Sequence, residues 1–272
     1  NEVVFWDAAV DKEKGKVNSI FFCPYCRSEL TKRNCVRAQE THFDTRLNKF
    51  VTMIKQVPVL INYSVGKKRY EKTPDEYDLT LIDRINNMEI PYWYPIDRMC
   101  EGRESRRNDR YGITHVHQFY WKRDMYIASC LLSRINNCHL RFAFTGLIMR
   151  ATKMNRIHIG NYFHGGGGWN AGYLKGTLYI SSIPIETSIF NLFSDRVKAI
   201  ISALTHINSF KQNSYIISTQ STNRLVNIKT DSIDYIFTDP PFGSNINYSE
   251  LSFIWEAWLK VFTNQKHEAI IN

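Results

Sequence analysis

An α/β fold is what this sequence predicts, and three observations predict it. Between residues 172 and 262, helix-spaced and strand-spaced apolar patterns alternate, the rhythm of sheet and helix layers sharing one core. The run Asp234-Tyr235-Ile236-Phe237-Thr238 is apolar enough to read as a strand buried on both faces of a parallel sheet. Near the other end, Cys23-Pro24-Tyr25-Cys26 lies between two short strand-like runs, which is half of a zinc ribbon. The expected organisation is a partial zinc ribbon over 1–45, an inserted α+β region over 46–171, and a core segment over 172–272.

The opening residues read as short strands and turns. Val3-Val4-Phe5-Trp6 is a brief apolar run, Asp11 to Lys16 a charged turn, and Ser19-Ile20-Phe21-Phe22 leads into the CxxC turn. Tetrahedral zinc takes four ligands, and such a turn supplies two thiolates from one tight loop. Cys23 and Cys26 are therefore the metal candidates; Cys35 and His42 lack knuckle spacing. Val57 to Tyr63 reads as a strand opened by Pro58. Thr73-Pro74-Asp75 signals a helix start ahead of Leu79, Ile82 and Ile85. Residues 90–113, punctuated by Pro91, Pro95, Gly102 and Gly112, read as irregular.

His115 and His117 alternate as on a strand and would share a face; with no third ligand in register, a structural role is expected of them. A helix near 121–136 carries Ile127, Leu131 and Ile135 on one face, and a second is expected over 140–151. The polar patch Lys153, Asn155 and Arg156 then suits either a phosphate contact or a helix C-terminal cap. Gly165 to Gly168 marks a loop, and Lys175 to Ile180 reads as a strand. Ile189, Phe193, Val197, Ile200 and Leu204 recur at helical spacing within 186–204. Ser214 to Ser218 and Asp234 to Thr238 read as strands, and Leu251, Ile254, Trp255, Trp258 and Leu259 as an amphipathic helix.

Composition narrows the class. Hydrophobic residues at 43% against 22% charged exclude a disordered chain. A net charge of +9 and a pI of about 9.2 favour polyanionic partners, because neutralising phosphates releases counterions. Basic residues cluster at Gly66 to Lys72 and at Arg103 to Arg110, each with acids interspersed, so phosphate contact and a solvated loop are both open. No signal peptide pattern opens the chain and no apolar run is long enough to span a bilayer. The six scattered Cys do not form a disulfide framework, so a reducing, cytoplasmic setting without a membrane partner is expected. The first residue is Asn1 rather than Met, which suggests a start inside a longer reading frame.

The segment that points to chemistry is Thr238-Asp239-Pro240-Pro241-Phe242-Gly243. A buried strand would deliver Asp239 to its carboxyl end, where ligands bind in open α/β sheets. Two prolines fix φ and donate no N–H, leaving stiff, free carbonyls beside the Phe242 ring. An amino group conjugated to a base ring is a poor nucleophile, since its lone pair is delocalised. The Asp239 carboxylate and the Pro240 carbonyl would accept its two hydrogens and draw the nitrogen toward tetrahedral geometry. Phe242 would stack on a base swung out of the duplex. Chance alone yields such a tetrad in roughly one chain of this length in a hundred.

This segment resembles motif IV of the adenine-N6 and cytosine-N4 DNA methyltransferases. More broadly, the Cys23-Pro24-Tyr25-Cys26 turn, Val57 to Tyr63, Gly112 to His117, Thr152 to Arg156 and the stretch 231–262 resemble a bacterial and archaeal group of large DNA methylases containing a zinc ribbon. The resemblance implies an S-adenosylmethionine-dependent DNA methyltransferase with a Rossmann-like sheet, adenine N6 being favoured over cytosine N4. Asp239, Pro240, Pro241 and Phe242 would be catalytic, Thr238 and Asp239 would face the cofactor, and Asn245 and Tyr248 would contact the base. Ser244, Asn247 and Glu250 are further candidates to line that pocket. The family's Gly-rich cofactor turn and the first half of its ribbon lie N-terminal to the segment present here, so an internal fragment with an incomplete Rossmann-like sheet is expected. Gly165 to Gly168 does not follow an apolar strand ending in Asp and does not replace that turn. Two alternatives stand beside this reading, the same chemistry on another amino group, in RNA or a protein glutamine, and a non-catalytic nucleic-acid-binding zinc-ribbon remnant.

Overall fold

The computed structural model describes residues 1–207, 217, 225–239 and 246–264. Helices and strands are mixed along the chain, and every sheet among the described residues is a two-stranded antiparallel pair. The parallel Rossmann-like sheet expected of the sequence is absent from these residues.

The N-terminal run Phe5–Ala9 is a short helix, α1, instead of a strand, with Trp6 and Ala9 turned inward. β1 (Val10–Asp11) pairs with β2 (Lys16–Val17), and β3 (Ile20–Phe22) with β4 (Glu29–Thr31) around the cysteine turn. β5 (Gln39–Asp44) and β6 (Lys49–Ile54) form one hairpin, with Phe43 opposite Phe50 and Met53 and Ile54 in the core. β7 (Ile61–Val65) and β8 (Lys68–Lys72) form another, so the expected strand at 57–63 starts at Ile61, beyond Pro58.

The helical patterns translate directly. α2 (Glu76–Asn87) begins at Asp75, whose Oδ1 accepts the Asp78 N–H at 3.0 Å while Asp78 Oδ2 accepts the Asp75 N–H at 3.0 Å. This reciprocal box satisfies two of the donors that a helix start leaves open. α4 (Lys122–Arg134) and α5 (Cys138–Ile148) fall where periodicity placed them. So do α7 (Ile189–Ile207) and α8 (Tyr248–Leu259). Between α5 and α7 lie β9 (Arg156–Ile157), α6 (Ile159–His164) and β10 (Asn170–Gly172), with the glycine run as the exposed link from α6 to β10.

α5 packs on α7 and α8, and α4 on α2 and α7. Trp258 of α8 is the centre of this core, with the rings of Tyr120 and Phe144 5.8 and 5.4 Å away in edge-on contact. Its indole N–H donates to the Tyr120 hydroxyl at 2.9 Å, and that hydroxyl donates to the Ile148 carbonyl at 3.0 Å, so both polar groups enter the core satisfied.

Three further expectations need correction. Residues 90–113 are not wholly irregular, since Arg103–Asp109 is a helix, α3. Lys175 to Ile180 is not a strand, although Leu178 and Ile180 are fully buried. Its backbone is held by side chains in place of a ladder: Leu178 N–H donates to Glu104 Oε2 at 3.1 Å and its carbonyl accepts Asn108 Nδ2 at 2.9 Å. Asp234 to Thr238 is neither a strand nor buried, with Tyr235 81% and Phe237 82% exposed. An apolar run becomes a buried strand only when neighbours pair its N–H and C=O groups and cover its faces. No described residue does either. The strand expected at Ser214 to Ser218 lies, Ile217 apart, outside the described residues.

Candidate functional site

The expected reacting centre is only partly within the described residues. Thr238 and Asp239 are exposed, while Pro240, Pro241, Phe242, Ser244 and Asn245 lie outside them. The rigid delivery of Asp239 by a buried strand is therefore not found. Nor does Asp239 line the 310 Å³ cavity between α5 and α7, which is walled by Phe142, Ala143, Thr145, Gly146, Arg196 and Ile200 among others. Tyr248, the first residue of α8, is 48% exposed and open to a ligand.

The start of α8, a few residues beyond the tetrad, is anchored firmly. Glu250 is almost fully buried, and its carboxylate accepts the Ser105 N–H at 2.6 Å and the Glu104 N–H at 3.3 Å. Asn247 Nδ2 donates to the same carboxylate at 2.5 Å. The carboxylate thus sits on the open N–H groups at the start of α3, where negative charge is favoured. Gly102, with φ 159°, permits the approach, because a Cβ there would fall on the Glu250 carboxylate. Glu104 continues the network through Leu178 N–H and an ion pair with Arg107 at 2.6 Å. Glu250 is accordingly a structural anchor, and Asn247 supports it.

Cys23 and Cys26 occupy the β3–β4 turn, Cys23 buried and Cys26 exposed. Arg27 takes φ 63° there and donates its N–H to the Cys23 carbonyl at 2.9 Å. The Ser28 hydroxyl, 3.1 Å from the Cys26 sulfur, is the main cause that pulls this thiol down to about 7, with the neighbouring Cys23 assisting. Among the described residues no group of three or more His, Cys, Asp or Glu side chains could hold a metal ion. Two thiolates do not complete a tetrahedral site, so these residues by themselves do not fit zinc. All six cysteines carry free thiols.

The two histidines come together on the 3-10 turn Val116–Phe119 and its leading residue, not on a strand. Their rings are 5.9 Å apart. His117 Nε2 lies 2.7 Å from Asp44 Oδ2, which ties the end of β5 to the core. Burial acts to raise the Asp44 carboxyl, but the hydrogen bond and charge of His117, with the N–H groups of Leu47 and Arg46, outweigh it and hold it well below the usual range. Burial takes His115 down to about 4, so its ring is neutral near pH 7. The Asp44 partnership carries no periodic signal and was not expected from the sequence.

Asn155 is fully buried and donates its amide to the carbonyls of Met149, Arg150 and Thr152 at 2.9–3.0 Å, closing the end of α5. Lys153 Nζ donates to the Gln118 carbonyl at 3.2 Å and Arg156 Nε to the Gly172 carbonyl at 3.3 Å. The α5 cap thus comes from Asn155, while the basic Lys153 and Arg156 bond carbonyls away from α5. Most of the Arg103 to Arg110 cluster is engaged internally, Arg103 being exposed and outside these pairs. Arg106 pairs with Glu101 and Asp109 and donates to the Met99 carbonyl, Arg107 pairs with Glu104, and Arg110 stacks on Tyr111. Among the described residues no helix is long and apolar enough to cross a membrane.

Comparison with known proteins adds no relative: no family model matches the chain, and neither a curated protein nor a solved structure does.

Proposed function

We propose that this chain belongs to an S-adenosylmethionine-dependent methyltransferase acting on an exocyclic amino group of a DNA base, adenine N6 ahead of cytosine N4. The observation that carries the reading is the tetrad Asp239-Pro240-Pro241-Phe242, two hydrogen-bond acceptors stiffened by proline beside an aromatic plate. Asp239 and the Pro240 carbonyl accept the two amino hydrogens, so the nitrogen lone pair is freed from the ring, and Phe242 stacks on the extruded base. When bound, the cofactor would supply an electrophilic methyl group: the N–CH3 bond would form as the S–CH3 bond breaks, the neutral thioether S-adenosylhomocysteine would leave, and the surplus amino proton would pass by way of the Asp239 carboxylate to water. Thr238 and Asp239 offer an exposed hydroxyl and an exposed carboxylate, groups of suitable chemistry for the cofactor's ribose and sulfonium. The Rossmann-like sheet and the zinc ribbon belong to this proposal.

The test is methyl transfer from labelled cofactor to duplex DNA, RNA and protein, with wild type and Asp239→Ala side by side. Label in N6-methyladenine that falls at least about a hundredfold in a folded Asp239→Ala protein is expected, in line with the loss of one preorganised electrostatic group. Equal labelling by the two proteins overturns the assignment of Asp239. Label confined to RNA or protein overturns the substrate. A second reading, nucleic-acid binding without catalysis, draws on the exposed Asp239 outside the α5–α7 cavity. It predicts DNA binding with no label transferred.

A further inference from the structure

The two basic clusters differ in where their charges go: Arg106 and Arg107 of one are ion-paired, whereas Lys67, Lys68 and Arg69 of the other are not. Gly66 and Lys67 form the two-residue turn of the β7–β8 hairpin, and Gly66, at φ 61°, takes the left-handed conformation such turns need. Lys67, Lys68 and Arg69 are exposed at the tip, and none makes an ion pair among the described residues. The acids of the neighbourhood gather at the base. Glu71 is engaged there by Tyr162 Oη and by Asn62 Nδ2, and Lys72 pairs with Asp75 at 3.1 Å and Asp78 at 2.7 Å. Charge is thus segregated along the ribbon, tied at its root and cationic at its end.

One face of the ribbon is aromatic as well as basic. The register sets Tyr63 opposite Tyr70, with Val65 opposite Lys68 next to them on the same side. The Tyr63 and Tyr70 rings stack 5.5 Å apart at 21°, and Lys68 Nζ lies 5.3 Å from the Tyr70 ring. Tyr63, Val65 and Tyr70 stay 41, 63 and 36% exposed, so this face is open to solvent. Exposed apolar surface ringed by cations is a contact surface in waiting.

We infer that the β7–β8 hairpin is a DNA-binding wing that inserts into the major groove of a duplex, with Lys67, Lys68 and Arg69 on phosphates and the Tyr63–Tyr70 face against the groove wall. The inference rests on the proposed action on DNA, in either its catalytic or its non-catalytic form. Five residues per strand give a ribbon about 17 Å long at ~3.4 Å per residue. The major groove of B-DNA, ~12 Å wide and ~8.5 Å deep, admits a two-stranded ribbon of this kind. The major groove of an RNA duplex is too narrow and deep for it. The unpaired cations complement the phosphates, and no acid at the tip opposes them.

The experiment is fluorescence anisotropy of the whole chain with a 20-base-pair DNA duplex across a range of salt, without cofactor. Each phosphate neutralised contributes about 0.9 to the slope of log K against log salt, so Lys67→Ala/Lys68→Ala/Arg69→Ala should reduce it by about 2.7. At about 0.1 M salt the affinity should fall at least tenfold. Lys12→Ala/Lys14→Ala/Lys16→Ala removes the same charge elsewhere and should leave the slope within about 0.5. An unchanged slope in the tip variant overturns the inference, as does an equal fall in the control. Equal binding of an RNA duplex or a single strand, with the same dependence on the tip, overturns the groove assignment. Methyl transfer measured in parallel separates the two proposals. A wing that fails while label still reaches DNA sinks only the wing; intact binding without label sinks only the chemistry.

Discussion

Glu250 of α8 reaches across 145 residues of sequence to accept the Ser105 N–H at 2.6 Å, so the segment after the Asp-Pro-Pro-Phe tetrad is rooted on the start of α3. The carboxylate accepts from three donors in a buried setting, and water cannot replace them.

Glu250→Gln should therefore destabilise the fold by about 2–4 kcal/mol. The amide keeps the shape but loses the charge, and its NH₂ turns a donor toward N–H groups that need an acceptor. Urea unfolding at neutral pH reads the change as a lower midpoint with an unaltered slope. A midpoint equal to wild type would mean that the α3 start is satisfied in another way.

His115 makes a prediction about pH. Its pKa is lowered by burial to about 4, whereas in the unfolded chain it is about 6.5. Between those values the unfolded chain binds the extra proton, so stability falls as pH drops from about 6.5 toward 4 and is at its full value above that window. The difference is worth up to about 3 kcal/mol. In His115→Gln the same titration of unfolding free energy should be flatter across the window, and an identical curve would remove His115 as its source.

Cys26 should stand out among the thiols. With its pKa near 7 through the Ser28 hydroxyl, it should alkylate with iodoacetamide at half-maximal rate near pH 7. Cys100, which burial pushes up to about 11, should hardly react at that pH. Ser28→Ala should move the Cys26 profile upward by about one pH unit. Peptide mass spectrometry assigns each site, and a Cys26 profile centred above about pH 8 in wild type would contradict the arrangement at the turn.

Much of the helical framework was legible in the sequence. Ile189, Phe193, Val197, Ile200 and Leu204 define one side of α7 by spacing alone, and Asp75 announces α2 by a local hydrogen bond. Such signals are short-range, so one stretch of chain contains both halves of the interaction. The run Asp234 to Thr238 shows where that logic stops. Its apolar composition is a local property, but burial and strand pairing belong to neighbours, and none is supplied by the described residues.

By itself the sequence determined the longer helices α2, α4, α5, α7 and α8, the cysteine turn, the identity of the tetrad and the cationic composition of the β7–β8 tip. Only the tertiary structure decided which polar groups meet. Asp44 finds His117, Asn155 closes α5, Glu250 caps α3, and Arg106 and Arg107 are ion-paired while Lys67, Lys68 and Arg69, among the described residues, are not. The physical reason is that a hydrogen bond or ion pair depends on distance in space, and partners 73 or 145 residues apart leave no periodic trace in the chain.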